Sequence, residues 1–393
     1  MFHKDFTPLA DAHSGYRNLD SGSVHEGAGQ TEESPGCFSF LGRLFKRSRD
    51  GKAMQDAPPM VQTSAIARSM PPPLADLKSP KAPIVTLNNG IKMPMVGFGT
   101  YEIEPEGTVV TPDSLTTKCV VEAIHAGYRA FDTASQYHDE ASIKWAIEQT
   151  GRSRSDFFIT TKVAPIDVHD VQAALNASLK ELGTDYIDLL LIHWPVALHS
   201  NGKDDIPRTP DGCRDIDWSW DAVDDTWPQM EAVYRSGKAR AIGVSNFSVP
   251  YMTRLLKSAT IPPVINQIET HPYLPSNELK ALCEKHRVYI TAYSPLGGSG
   301  SPLIKDQDVQ LIAERTGFSP GAILLSWQVQ RGVLVIPKSA TASRIHDNIR
   351  LVKLTQNDMD ILNDIHKRHS ERFIKPDWRF PLGFDDWDSE HEP

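Results

Sequence analysis

Cysteine is scarce in this chain. Four thiols, Cys37, Cys119, Cys213 and Cys283, are spread over 393 residues. No two have metal-ligand spacing and no disulfide framework is visible, so reduced thiols in a cytoplasmic protein are expected. Excess positive charge is also missing: 41 Lys and Arg face 50 Asp and Glu, a net charge of −9. That balance argues against nucleic acid as a main partner. No apolar run reaches the ~20 residues of a membrane span, and no secretory apolar segment follows Met1. What remains is an ordinary globular composition, 40% hydrophobic and 23% charged, in a chain long enough to enclose a large core.

Residues 1–80 lack sustained periodicity. They are rich in Ser, Gly, Pro, Asp and Glu and close with Pro71-Pro72-Pro73. Such a segment buries too little apolar surface to offset the entropy of ordering, so it reads as a disordered extension ahead of a domain spanning 81–393. Residues 37–49 are the exception. Phe38, Leu41 and Phe45 share one helical face and Arg43, Lys46 and Arg47 another. A basic amphipathic segment can touch an anionic membrane or a protein partner; a solvated, partly helical patch is the favoured alternative. Six acidic residues before it, from Asp5 to Glu33, argue against a mitochondrial presequence.

From Ile84 the pattern changes. Asn88-Asn89-Gly90 between apolar flanks signals a hairpin. Strands are then expected near 95–100, 129–133, 157–162, 186–193, 240–245, 263–269, 288–293 and 333–337. Helices are expected at 114–126, 138–150, 168–182, 226–236, 249–258, 276–286, 306–316 with 320–330, and 342–351. This rhythm suits an α/β fold, a closed (β/α)8 TIM barrel with an N-terminal β-hairpin. A doubly wound sheet competes, but the glycine fingerprint that usually follows its first strand is missing.

In such a barrel, catalytic groups sit at the C-terminal ends of several strands. Asp132, Lys162 and His193 end the second, third and fourth expected strands, and Tyr137 lies in the loop after the second. Later strands end in Ser245-Asn246, Gln267 and Glu269, Tyr293-Ser294 and Lys338-Ser339. Taken singly, each has a bland explanation: a salt bridge, a packed tyrosine, a core histidine. Repetition along one rim makes them a candidate active site.

The stretch Gly127-Tyr128-Arg129-Ala130-Phe131-Asp132-Thr133-Ala134-Ser135-Gln136-Tyr137-His138-Asp139-Glu140 resembles the aldo-keto reductase family. So do Leu191-Ile192-His193-Trp194-Pro195, Gly243-Val244-Ser245-Asn246-Phe247, Asn266-Gln267-Ile268-Glu269, Ala292-Tyr293-Ser294-Pro295-Leu296-Gly297 and Ile336-Pro337-Lys338-Ser339. The resemblance covers about residues 84–385 and is greatest to fungal NADP-dependent aldehyde and glycerol reductases. It implies reduction of a small carbonyl, or oxidation of a polyol, by hydride transfer with NADPH/NADP+ and without a metal. It assigns Tyr137 as general acid, Lys162 and Asp132 as its electrostatic support, and His193 as the group that orients the substrate. Because a free phenol has a pKa near ~10, Lys162 is expected to make Tyr137 more acidic.

For the cofactor, the resemblance places Ser245, Asn246 and Gln267 on the nicotinamide carboxamide and Tyr293 against its ring. It places Ser294, Leu296 and the glycine-rich 297–300 along the pyrophosphate. Lys338, Ser339 and Arg344 meet the 2′-phosphate, with Asp347 and Asn348 at the adenine end. Tyr101 and Trp194 line the substrate pocket, and Trp378, Phe380, Phe384 and Trp387 either wall it or tie down the C-terminal tail. The acidic loop 197–225 is expected to overhang its mouth. Two residues depart from the family pattern: Asp139 stands where Asn is usual, and Tyr101 where Trp is common. The expected protein is a monomer. Two rivals remain at this point, a xylose-type sugar reductase and an NADPH-holding barrel that regulates a partner, as in potassium-channel β-subunits.

Overall fold

A computed structural model describes residues 82–105, 107–298 and 300–387. The expected disordered extension and its amphipathic segment at 37–49 lie outside the described residues.

The hairpin forms where expected. Strand β1 (Ile84–Thr86) pairs antiparallel with β2 (Lys92–Pro94). The turn needs Gly90, whose φ of +87° strains any residue with a Cβ. Asn88 donates to the Pro263 carbonyl and Asn89 to that of Arg240. Both carbonyls lie just ahead of barrel strands, so the hairpin covers the barrel's N-terminal end.

Eight parallel strands follow in chain order: β3 (Phe98–Gly99), β4 (Ala130–Asp132), β5 (Phe158–Val163), β6 (Leu189–Ile192), β7 (Ile242–Ser245), β8 (Ile265–Glu269), β9 (Tyr289–Tyr293) and β10 (Leu334–Val335). Val96 pairs in parallel with Val335 and closes the ring, with Gly97 N–H donating to Val335 and Val335 N–H to Met95, both at 2.8 Å. Strands covered on both faces are mostly apolar: β6 reads Leu-Leu-Leu-Ile and is buried throughout, whereas β5, also wholly buried, carries Thr160, Thr161 and Lys162. Gly243 lets two strands approach: a Cβ there would stand 2.6 Å from the Ile265 carbonyl oxygen and 2.8 Å from the Leu191 side chain.

The outer layer among the described residues is α1 (Leu115–Ala126), α2 (Glu140–Gln149), α3 (Val171–Leu182), α4 (Trp227–Arg235), α5 (Val249–Ser258), α6 (Asn277–Lys285), α7 (Gln307–Thr316), α8 (Pro320–Gln330), α9 (Ala342–Asn348) and α10 (Gln356–Arg368). Local chemistry sets several ends. Asp170 caps α3 by accepting from Ala173 N–H at 2.9 Å, and Gly183 stops it in the left-handed region.

Two differences from the sequence reading have clear causes. α2 begins at Glu140 rather than His138, because His138 adopts φ +53° to end a 3-10 turn at Ser135–Tyr137. α10 was not anticipated. Its first turn carries a reciprocal cap, in which Thr355 Oγ1 accepts from Asp358 N–H while the Asp358 carboxylate accepts from Thr355 N–H.

Candidate active site

Parallel register brings the polar strand ends onto one rim. Lys162 Nζ donates to Asp132 Oδ1 at 2.5 Å and to the Thr133 carbonyl at 2.8 Å, and lies 3.4 Å from Tyr137 Oη. Tyr137 Oη is 3.4 Å from His193 Nε2. The three strand-end residues and the loop tyrosine singled out from the sequence are thus contiguous. Lys162 is 1% exposed, and a buried ammonium is tolerated only with an anion and further acceptors around it. Asp132 and the Thr133 carbonyl meet that requirement.

The electrostatics correct one expectation. Tyr137 does not become more acidic: burial first, then Asp132, Asp139 and Glu102, push its pKa well above the usual phenol value. The charge of Lys162 is largely matched by Asp132, and the site holds the proton on Tyr137. His193 is pushed the other way, well below the ordinary imidazole value, by burial and then by Lys162. It is therefore a neutral ring at neutral pH, and its Nδ1 has no hydrogen-bond partner among the described residues.

The residues expected at the nicotinamide form a connected set with these four. Gln267 Nε2 donates to Asp132 Oδ2 at 2.6 Å. Ser245 Oγ donates to the Gln267 carbonyl at 2.9 Å, and Asn246 Nδ2 to the His193 carbonyl at 2.9 Å. Tyr293 Oη donates to Asn246 Oδ1 at 2.8 Å. Asn246 sits at φ +63°, a conformation that Asn tolerates better than most residues. Ser294, at φ +46°, turns the chain into the loop holding Leu296, Gly297 and Gly298. Glu269, fully buried, accepts from the Phe373 and Ile374 N–H groups at 2.7 and 2.8 Å. That fixes Phe373 against the loop, where a Cβ on Gly298 would come 2.8 Å from the Phe373 Cβ.

Lys338, Ser339, Arg344 and Asn348 follow β10 in the chain, with Arg344 and Asn348 on α9. Lys338 and Arg344 are exposed, while Ser339 and Asn348 are buried. Lys338 Nζ donates to the Glu102 carbonyl at 3.2 Å, and Arg344 has no carboxylate partner among the described residues. A segment carrying two cations and a serine hydroxyl suits a phosphate. Asp347 accepts from Ser319 Oγ and lies 3.6 Å from Arg350.

Of the residues expected at the substrate, the half-exposed Tyr101 leans over Tyr137 with ring centroids 4.8 Å apart. Trp194 is buried beside Trp378 and Trp387, at 5.4 and 6.2 Å. The tail tryptophans therefore dock on Trp194, whereas Phe380 meets the half-exposed Trp218 of the long loop at 5.3 Å. His138 Nε2 and Asp205 Oδ2, 2.5 Å apart, join the long loop to the turn that carries Tyr137.

Sequence reasoning missed two working groups. Thr133 supports Lys162 through a main-chain carbonyl, which no side-chain pattern reveals. Glu269 was noted as a polar strand end, but its role depends on a tail about a hundred residues away; a charged residue closing an apolar strand was the available signal.

Comparison with known proteins agrees with this geometry. The aldo/keto reductase family matches residues 95–367. A D-galacturonate reductase of Hypocrea jecorina is 41% identical over 309 residues, 76% of this chain and 97% of the relative. A glycerol 2-dehydrogenase (NADP(+)) of Saccharomyces cerevisiae is 37% identical, over 75% of this chain and 95% of its own length. The solved aldose reductase of Schistosoma japonicum superposes with a TM-score of 0.68 at 31% identity, covering 79% of this chain and all of that one. With this match over most of its length and a closed barrel, the chain belongs to the aldo/keto reductase family and is a carbonyl-reducing oxidoreductase.

Proposed function

We propose that the protein reduces aldehydes and ketones with NADPH, with Tyr137 as the proton donor. The observation that carries this is the contiguity of Asp132, Tyr137, Lys162 and His193 within hydrogen-bonding reach. NADPH, when bound, supplies the hydride. Tyr137 gives its proton to the carbonyl oxygen, and the phenolate left behind faces the Lys162 ammonium, which Asp132 and the Thr133 carbonyl hold in place. His193, neutral and fixed against Trp194, orients the carbonyl oxygen beside Tyr137.

The residues that would hold the nucleotide fit it. Ser245, Asn246 and Gln267 offer hydroxyl and amide groups for a carboxamide, and Tyr293 offers a flat ring. Ser294 and Leu296 follow at the pyrophosphate. Lys338, Ser339 and Arg344 supply charge and hydroxyl for a 2′-phosphate, with Asn348 beyond them. Tyr101, His193 and Trp194 face the substrate. Small hydroxylated aldehydes and ketones, including those related to glycerol and to uronic acids, suit the relatives' names. All four proposed catalytic residues come from one chain, so a single copy completes the site, in keeping with the monomer expected from the sequence. The buried thiols of Cys119 and Cys283, pushed up to about 11 and about 12 mainly by burial, are unreactive there.

Steady-state NADPH oxidation across short aldehydes, aldoses, dihydroxyacetone, galacturonate and aromatic aldehydes tests the reading, with Tyr137→Phe alongside. Losing general acid catalysis lowers kcat by ~10²–10⁴ and leaves NADPH affinity intact. Tight NADPH binding without turnover on any carbonyl would instead mark a regulatory barrel.

A further inference from the structure

Asp139 adjoins the four-residue network of Asp132, Tyr137, Lys162 and His193, and ordinary helix chemistry does not explain it. It precedes α2 at the capping position yet makes no cap with its side chain. The carboxyl turns inward instead, is 4% exposed, and accepts from Thr133 Oγ1 at 2.6 Å. The same Thr133 offers its main-chain carbonyl to Lys162 Nζ at 2.8 Å. A continuous line thus runs from Asp139 through Thr133 and Lys162 to Tyr137.

We propose that Asp139 is a positioning residue for the proton donor: its carboxyl holds the Thr133–Lys162 end of the site and, by changing charge, sets how firmly Tyr137 keeps its proton. The inference rests on the reading of Tyr137 as general acid.

The groups facing Asp139 come from every element around it. Thr100 follows β3, Asp132 ends β4, Tyr137 lies in the 3-10 turn, Lys162 is on β5 and Glu140 begins α2. Lys162 is the one cation among them, and its ammonium already contacts Asp132 and the Thr133 carbonyl. At contact distance the Asp139 carboxylate therefore has a hydroxyl, that of Thr133, rather than a cation. Burial raises its pKa to about 6, against the opposing hydrogen bonds from Thr133 and Thr100 and the charge of Lys162. Near that pH the site gains or loses one negative charge beside Tyr137. Anionic Asp139 opposes formation of the phenolate, which is the form required to take a proton from an alcohol. Protonated Asp139 removes that opposition.

An asparagine at this position keeps an acceptor for Thr133 but carries no charge, which separates the two roles. The experiment is a pair of pH–rate profiles, carbonyl reduction and alcohol oxidation, for the wild type, Asp139→Asn and Tyr137→Phe. The wild type should show an inflection near pH 6, absent in Asp139→Asn. The rising limb of alcohol oxidation in Asp139→Asn should move to lower pH by about one unit. Ultraviolet titration of the phenolate, referenced to Tyr137→Phe, should move in the same direction without turnover. If Asp139→Asn does not fold, Asp139→Ser carries the same comparison, since its hydroxyl can still meet Thr133. Superimposable profiles, or a uniform loss at all pH values with unmoved limbs, would overturn the proposal. High turnover in Tyr137→Phe would instead refute the underlying acid assignment, and this inference with it.

Discussion

Gln267 Nε2 donates to Asp132 Oδ2 at 2.6 Å while Lys162 holds the carboxylate's other oxygen at 2.5 Å. One buried carboxylate therefore joins the face expected to meet nicotinamide to the residues that handle the proton. A hydrogen bond to a charged group is worth ~1.5–3 kcal/mol, so Gln267→Leu should lower kcat and NADPH affinity together, by roughly 10- to 100-fold across the two. Comparing single-turnover rates with cofactor titration checks this. A change in affinity alone would mean that Gln267 serves only the nucleotide.

Cofactor choice is expected to follow from the segment beyond β10. Lys338→Ala and Arg344→Ala should each weaken NADPH binding by roughly 10- to 100-fold and leave NADH nearly unchanged, because NADH lacks the 2′-phosphate. Dissociation constants of both nucleotides decide it. Equal losses for the two would move these residues to the shared pyrophosphate.

Asp139 also makes stability depend on pH. Its folded-state pKa is raised from 3.8 to about 6, so the folded protein holds this proton more tightly than the unfolded chain. The contribution is fully present below about pH 4 and is lost as pH rises through about 6. Two pKa units correspond to ~3 kcal/mol. Asp139→Asn lacks this loss, so in urea unfolding its stability relative to wild type should be greater at pH 8 than at pH 4.5. A difference that stays flat between those two pH values would show that the carboxyl is not strained by burial.

Gly243→Ala should destabilise the barrel by ~1–3 kcal/mol through overpacking between strands. The measurement is the urea midpoint. An unchanged midpoint would mean that β7 can shift away from Ile265.

Removing residues 1–80 should leave kcat and the unfolding midpoint nearly unchanged, because the sequence there lacks core-forming periodicity. An insoluble or inactive truncation would move the domain boundary upstream.

The barrel was legible because its strands are short apolar runs bounded by turn residues, and because Asp132, Lys162 and His193 break those runs at equivalent points. α5 and α8 fall within the bounds expected of them, since Pro250 and Pro320 mark their first turns, α5 is strongly patterned and α8 is mostly apolar. α10 was missed because it follows the last strand, where the β/α rhythm no longer predicts anything. The direction of the Tyr137 shift was also hidden. A sequence shows that a lysine is nearby, but not that Asp132 neutralises it or that Asp139 and Glu102 add opposing charge.

The Val96–Val335 pairing has a kinetic consequence. The two valines open and close the barrel's stretch of sequence, so the ring is sealed only by the most distant of its strand pairings, and closing so long a loop is slow. During synthesis the first seven barrel strands leave the ribosome with both edges of the sheet open. Until β10 arrives, those edges are unpaired backbone that can join another chain. For this chain, the interval between making Asp132, Lys162 and His193 and closing the ring around them leaves those edges open to association.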